Sequence, residues 1–136
     1  MASVFTKIID GELPGRFVHT DESVVAFLTI APLKPGHTLV VPRREVASWL
    51  DLTPAELAAL WAACHTVGRA IDAAFSPGRV AALLLGLEVP HVHVHLVPID
   101  SEAEVRFDRA DTDPDPAALD EAQRRIREAL ESSTPP

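Results

Sequence analysis

The 136 residues suffice for one domain with a single good core and call for no second. A hydrophobic fraction of 47% and a charged fraction of 24% exclude a disordered chain, and no charge-free run approaches the length of a transmembrane or signal helix. The net charge of −8 speaks against a nucleic-acid polymer as partner, and the single cysteine excludes an intrachain disulfide, so the expectation is a cytoplasmic protein with no membrane attachment.

Val4, Phe5, Ile8 and Ile9 recur at helical spacing and predict a short helix over Ser3–Ile9, ended by the Asp10-Gly11 turn. Phe17–His19 and Val24–Ile30 read as strands around a tight turn, with His19 solvated at the edge. The loop Ala31-Pro32-Leu33-Lys34-Pro35-Gly36 delivers a third strand that starts at His37 and ends at Pro42, and Arg43 and Arg44 follow in a solvated turn. Thr53-Pro54-Ala55-Glu56 has the N-cap, the proline at the first helical position and the glutamate of a capping box. The apolar stripe behind it runs from Leu57 through Cys64 to Phe75 at three- and four-residue steps, so a long amphipathic helix lies on a sheet. Cys64 belongs to its core and His65 beside it is exposed or capping. Arg79–Leu85 predicts an apolar strand, with Val89–Val97 pairing back on it.

The charge is uneven: residues 1–99 carry about −2 and the remainder about −6. An anionic small molecule can therefore approach the first part. Asp100–Asp115 is acidic and poor in apolar residues, which predicts a mobile loop without chemistry. Asp115-Pro116 then opens a last helix with acids early and Arg124, Arg125 and Arg127 late, as the helix dipole favours. Its stripe of Leu119, Ala122, Ile126 and Leu130 docks on the domain or on a second subunit, and Ser132–Pro136 is a frayed tail. The expected organisation is a domain over 1–99, an acidic loop over 100–115, and a helix with its tail over 116–136.

The stretch His91-Val92-His93-Val94-His95-Leu96-Val97-Pro98 alternates three histidines with apolar residues. On a strand this puts three imidazoles on one face while Val92, Val94 and Leu96 face a core. An imidazole near neutral pH can attack, accept a proton or bind a metal. Two histidines two apart can grip zinc with a third ligand such as His37, but His91 and His95 have backbones about 13 Å apart on a straight strand, too far for one ion. The three are better explained if the middle one reacts and its neighbours orient it, hold substrate or move protons. The same parity puts Glu88 on the face opposite the histidines, unless Pro90 distorts the strand and turns it toward the site.

The segment His91 to Val97, together with Phe5 to Pro14 and Pro35 to Pro42, resembles the histidine triad (HIT) family in three places in the right order. The resemblance implies an α+β fold: an antiparallel sheet of about five strands packed with one long helix and a C-terminal helix, in homodimers whose sheets join. It implies a purine mononucleotide or derivative as ligand, bound at an apolar base pocket of Val4, Phe5, Ile8, Phe27 and Ile30 with Thr29, Gly86 and Val89 nearby. His93 is then the nucleophile, His91 a structural member held by a backbone partner, His95 a phosphate contact, and His37 an aid in orienting His93. Three features depart from the family: Gly86-Leu87-Glu88-Val89 replaces a run bearing an amide and a hydroxyl, the loop before the triad is shorter, and Thr29 replaces an aspartate that grips ribose. Ser3, Thr6 and Glu45 stand where zinc-containing members have two cysteines and a histidine, so neither metal nor cofactor is expected. Two functions follow. One is a hydrolase or transferase cleaving at the α-phosphate of a nucleoside phosphoramidate, acyl-nucleotide or related mononucleotide ester through a covalent nucleotidyl-histidine. The other is a nucleotide-binding protein with little or no turnover that acts through a partner.

Overall fold

The computed structural model describes residues 2–132; of the tail expected over Ser132–Pro136 only Ser132 lies among them, as the last residue of the final helix. Eight regular elements follow in order: α1 (Val4–Ile9), β1 (Phe17–Thr20), β2 (Val24–Leu28), β3 (Thr38–Pro42), α2 (Pro54–Phe75), β4 (Arg79–Leu84), β5 (Val94–Ile99) and α3 (Pro116–Ser132). The strands form one antiparallel sheet in the order β1-β2-β3-β5-β4. Every residue of β2 and β3 is buried, which is why their sequences are apolar apart from Thr38, whose hydroxyl donates to the Gly36 carbonyl: both faces of the sheet centre are covered.

Strand parity divides the core in two. Val24, Ala26, Leu28, Val40, Val94 and Leu96 face α2 and α3, whereas Val25, Phe27, Leu39 and Val41 face α1 through Phe5. Leu60, Val67 and Ile71 supply the α2 side, and Cys64 is buried there with its thiol pushed up to about 12 by that burial. Ala122 and Ile126 bring α3 into the same core, and Arg125 lies 4.4 Å from the Phe75 ring centroid, so this helix docks on its own domain. Among the described residues no helix is long and apolar enough to cross a membrane.

Local chemistry sets the boundaries. Ser3 caps α1 by accepting the Thr6 N–H, and Thr53 and Glu56 complete the capping box of α2. Arg44 is held rather than solvated alone, since its guanidinium donates to both Glu56 oxygens at 2.6 and 2.7 Å. His19 donates to Asp21 at the first hairpin. Gly36 has φ +95° and the Phe75 ring 2.7 Å from where a Cβ would lie, so only glycine fits this launch of β3.

Several expected bounds shift. β2 stops at Leu28, β4 at Leu84, and β3 starts at Thr38, one residue after His37. The largest change is at β5, which begins at Val94 rather than Val89. Pro90 has no N–H to donate, the His91 N–H turns back to the Val89 carbonyl, and the Val92 N–H goes to Val46 outside the sheet. Pro98 does not end the strand. It pairs with Val80 beyond the last β3 partner of β5, Leu96, so its missing N–H costs no bond on that side.

Candidate active site

His91 is fully buried. The Pro42 carbonyl can only accept, so His91 Nε2–H donates to it at 2.7 Å and Nδ1 accepts a hydrogen bond from the Ser3 hydroxyl at 2.7 Å. Ser3 is held in turn: its N–H donates to Glu45 Oε1 at 2.6 Å, and the Thr6 hydroxyl donates to the same oxygen at 2.8 Å. These contacts hold the Glu45 carboxyl below its usual range, the Ser3 N–H foremost. The three positions singled out against zinc thus meet at His91 as a hydrogen-bonded brace. Their donor set has no thiolate and one imidazole with both nitrogens engaged, which does not fit zinc.

Removing the Ser3 hydroxyl would leave Nδ1 of a buried ring without a donor and α1 without its cap. Ser3→Ala should therefore destabilise the protein by about 2 kcal/mol, read as a lower urea midpoint with an unchanged slope. An unchanged midpoint would mean that the brace contributes nothing.

His93 donates from Nδ1 to the His91 carbonyl at 2.8 Å, so the lone pair of the neutral ring is at Nε2. Its pKa is lowered, chiefly by burial and against the opposing pull of the His91 carbonyl. The third ring is set from the other side. The Leu33 N–H donates to His37 Nδ1 at 3.0 Å, so His37 carries its proton on Nε2 and donates to His95 Nδ1 at 2.9 Å. His95 then carries its own proton on Nε2. Burial, with the neighbouring imidazole, lowers His37 to about 3 and His95 to about 4, so both are neutral at pH 7. His93 and His95, with ring centroids 4.9 Å apart, present a lone pair and an N–H side by side. That arrangement can attack an electrophilic phosphorus or acyl carbon and donate a hydrogen bond to what leaves.

The four histidines expected at the site come together, with one change of partner. His37 orients His95, not His93. In the antiparallel register Leu39 faces His95, so His37, two residues earlier on the same face, is the diagonal neighbour of His95, whereas His93 lies on the other side of that pair. Phe5 and Phe27 are buried edge to face behind the triad, Phe5 being 4.8 Å from His93, and Ile8 and Val89 pack on the same cluster. Val4 is exposed and Ile30 is 77% exposed, so neither belongs to the buried apolar cluster. The Thr29 hydroxyl accepts the Ala31 N–H in a local turn, and Gly86 follows β4 at φ +80°.

The parity expected for Glu88 does not apply, because residues 85–93 are not a strand. Glu88 is exposed, and its charge counters the lowering of the His93 pKa. The loop read as having no chemistry also differs. Two short 3-10 turns, Glu102–Glu104 and Phe107–Arg109, order it, and the Phe107 ring lies 4.9 Å from His95 and 6.4 Å from His37. Its only sequence signal is a lone aromatic in a polar run. A metal bridging His37 and His95 would displace the bond between them, and among the described residues no cluster of three or more His, Cys, Asp or Glu is arranged to hold an ion.

This is a small α+β domain built around a row of imidazoles held in fixed tautomers. The chain belongs to the histidine triad family: the HIT domain matches residues 10–102. An uncharacterized HIT-like protein of Methanocaldococcus jannaschii is 36% identical over 103 residues, 70% of this chain and 77% of that one. The asymmetrical bis(5′-nucleosyl)-tetraphosphatase of Schizosaccharomyces pombe is 41% identical over 78 residues, 54% of this chain but only 43% of that enzyme. The crystal structure of a hypothetical histidine triad nucleotide-binding protein from Sulfolobus tokodaii superposes with a TM-score of 0.83 at 28% identity, covering 94% of this chain and 91% of that one.

Proposed function

We propose that this protein is a purine nucleotide hydrolase or transferase that cleaves at the α-phosphate of a nucleoside phosphoramidate, acyl-nucleotide or related mononucleotide ester. The observation that carries the reading is the pair of opposite tautomers at His93 and His95. His93 Nε2 forms a bond to phosphorus while the bond to the leaving group breaks; the leaving atom takes its proton from solvent, and His95 Nε2–H donates a hydrogen bond to it. Water then attacks phosphorus and loses a proton to solvent, and the nucleoside monophosphate leaves with His93 free again. The His91 carbonyl, accepting from Nδ1–H, supports the positive charge that the substituted His93 ring carries. Phe5, Phe27, Ile8 and Val89 supply the apolar surface for the base. The test is release of nucleoside monophosphate from an adenosine 5′-phosphoramidate by the purified protein. Tight binding without release would favour a nucleotide-binding protein acting through a partner, a reading that draws on Leu87, 95% exposed, and Glu88, where the family resemblance implies polar donors.

A homodimer and a cytoplasmic setting belong to the same proposal. β4 is an edge strand of largely apolar, partly exposed residues, and Leu85, Leu87 and Trp61 are exposed apolar side chains, a combination that invites pairing with a second copy. Sedimentation at micromolar concentration should give a dimer; a monomer would end that part of the proposal. The free, buried thiol of Cys64 suits a reducing compartment.

A further inference from the structure

His91, Val92 and His93 precede the ladder of β5, whose first pairs join Val94 to Val40 on one side and to Leu84 on the other. The sheet therefore does not set the His93 ring. The segment 42–46 holds this stretch instead, at two points: the Pro42 carbonyl accepts from the His91 ring at 2.7 Å, and the Val46 carbonyl accepts the Val92 N–H at 2.8 Å. The peptide that joins His91 to Val92 is planar, with its N–H and its carbonyl on opposite edges. Val46 grips one edge. The other edge is the carbonyl that takes the His93 Nδ1–H at 2.8 Å, so the aim of that carbonyl depends on how firmly the His91 ring is anchored.

Glu45 governs the anchor. The Ser3 hydroxyl lies 2.7 Å from His91 Nδ1, and the Thr6 hydroxyl lies 3.5 Å from the same nitrogen. Two hydroxyls thus stand near one lone pair. Glu45 decides between them. Ionised at neutral pH, its Oε1 accepts the Thr6 hydroxyl at 2.8 Å and the Ser3 N–H at 2.6 Å. The first bond draws the Thr6 proton away from the ring, and the second holds Ser3 against it. Glu45 is itself exposed, and its neighbour Arg44 donates to both oxygens of Glu56 at the start of α2. The anchor is therefore built on a segment tied to the long helix, with the governing side chain at the surface.

Resting on the hydrolase reading, we propose that Glu45 is a positioning residue for the nucleophile: through Ser3 and Thr6 it fixes the His91 ring, and through the His91 carbonyl it keeps the His93 proton on Nδ1 and the lone pair on Nε2. Glu45 acts on His93 only through these groups. What the arrangement uses is one oxygen that accepts from two donors. A glutamine oxygen has the same capacity, whereas alanine frees the Thr6 hydroxyl to turn to His91 and releases the Ser3 N–H.

The experiment compares Glu45→Ala and Glu45→Gln with the wild type, at a temperature where all three are folded, in two readouts. The first is nitrogen NMR of the labelled histidine rings without substrate. The wild type and Glu45→Gln should show His93 protonated at Nδ1, and Glu45→Ala should show shifts averaged between two tautomers. The second is turnover of adenosine 5′-phosphoramidate. Glu45→Ala should lower kcat about tenfold with KM within about twofold, and Glu45→Gln should restore kcat to within about threefold of wild type. A brace that serves the fold alone would lower the urea midpoint of Glu45→Ala and leave its His93 tautomer and kcat unchanged. Either an unchanged tautomer or an unchanged kcat in that variant would overturn the proposal, as would a glutamine variant no better than the alanine one. If the wild type turns nothing over, the hydrolase reading fails separately. The rings then decide alone: mixed tautomers at His93 in Glu45→Ala support the positioning role, and a single tautomer refutes it.

Discussion

His93→Ala should reduce turnover of a nucleoside phosphoramidate by about four orders of magnitude while nucleotide affinity stays within a few-fold. The reason is positional. Of the three triad rings, His91 has both nitrogens committed, to Pro42 and Ser3, and His95 Nδ1 is committed to His37, which leaves a proton on its outer nitrogen. Only His93 combines a free lone pair with a donor bond that fixes it, to the His91 carbonyl. Alanine removes the attacking atom but not the apolar surface of Phe27, Ile8 and Val89. Measured kcat/KM and equilibrium affinity separate the two effects. Activity equal to wild type would exclude His93 as nucleophile, and a matching collapse in affinity would mean that the ring serves binding instead.

Acidification should destabilise the fold steeply below pH 6.5. His37 and His95 have folded values of about 3 and about 4 against an ordinary 6.5, in both cases foremost because burial penalises the charged ring. Their pKa values are depressed, so the unfolded chain binds protons that the folded chain refuses. Stability is fully present above pH 6.5 and is lost as the pH falls toward the folded values. Each group costs about 1.4 kcal/mol per pH unit in that window, or about 4 kcal/mol for the two between pH 6.5 and 5, an upper figure that is large against a total of about 5–15 kcal/mol. Urea midpoints at pH 7 and pH 5 should differ sharply in the wild type and less in His37→Asn. Equal midpoints at the two pH values would show that the rings can charge in place.

The sequence carried much of this because several signals are local. The capping box of Thr53 and Glu56, the short helix at Val4–Ile9 and the alternation around the triad each depend on neighbours a few residues away. The alternation even outlasts the strand it implied: Val92 faces the main core and His93 the opposite side, although the ladder starts only at Val94. What could not be read depends on distant backbone. The tautomers are set by the Pro42 carbonyl and the Leu33 N–H, far from the histidines in sequence. The pairing of His37 with His95 follows from the β3–β5 register, and a periodicity does not state a register. Phe107 was hidden for a different reason. Its segment has no apolar period, and its place depends on tethers from Glu104 and Asp111 to a loop some 70 residues earlier.

The central claim is that His93 forms a covalent bond to phosphorus, and the most direct measurement is the mass of the protein quenched during steady turnover of an adenosine 5′-phosphoramidate. One adenylyl group per chain, mapped to His93 by fragmentation and absent from His93→Ala, is the result predicted. Monophosphate release with no adduct on any residue, or an adduct that persists in His93→Ala, would contradict it.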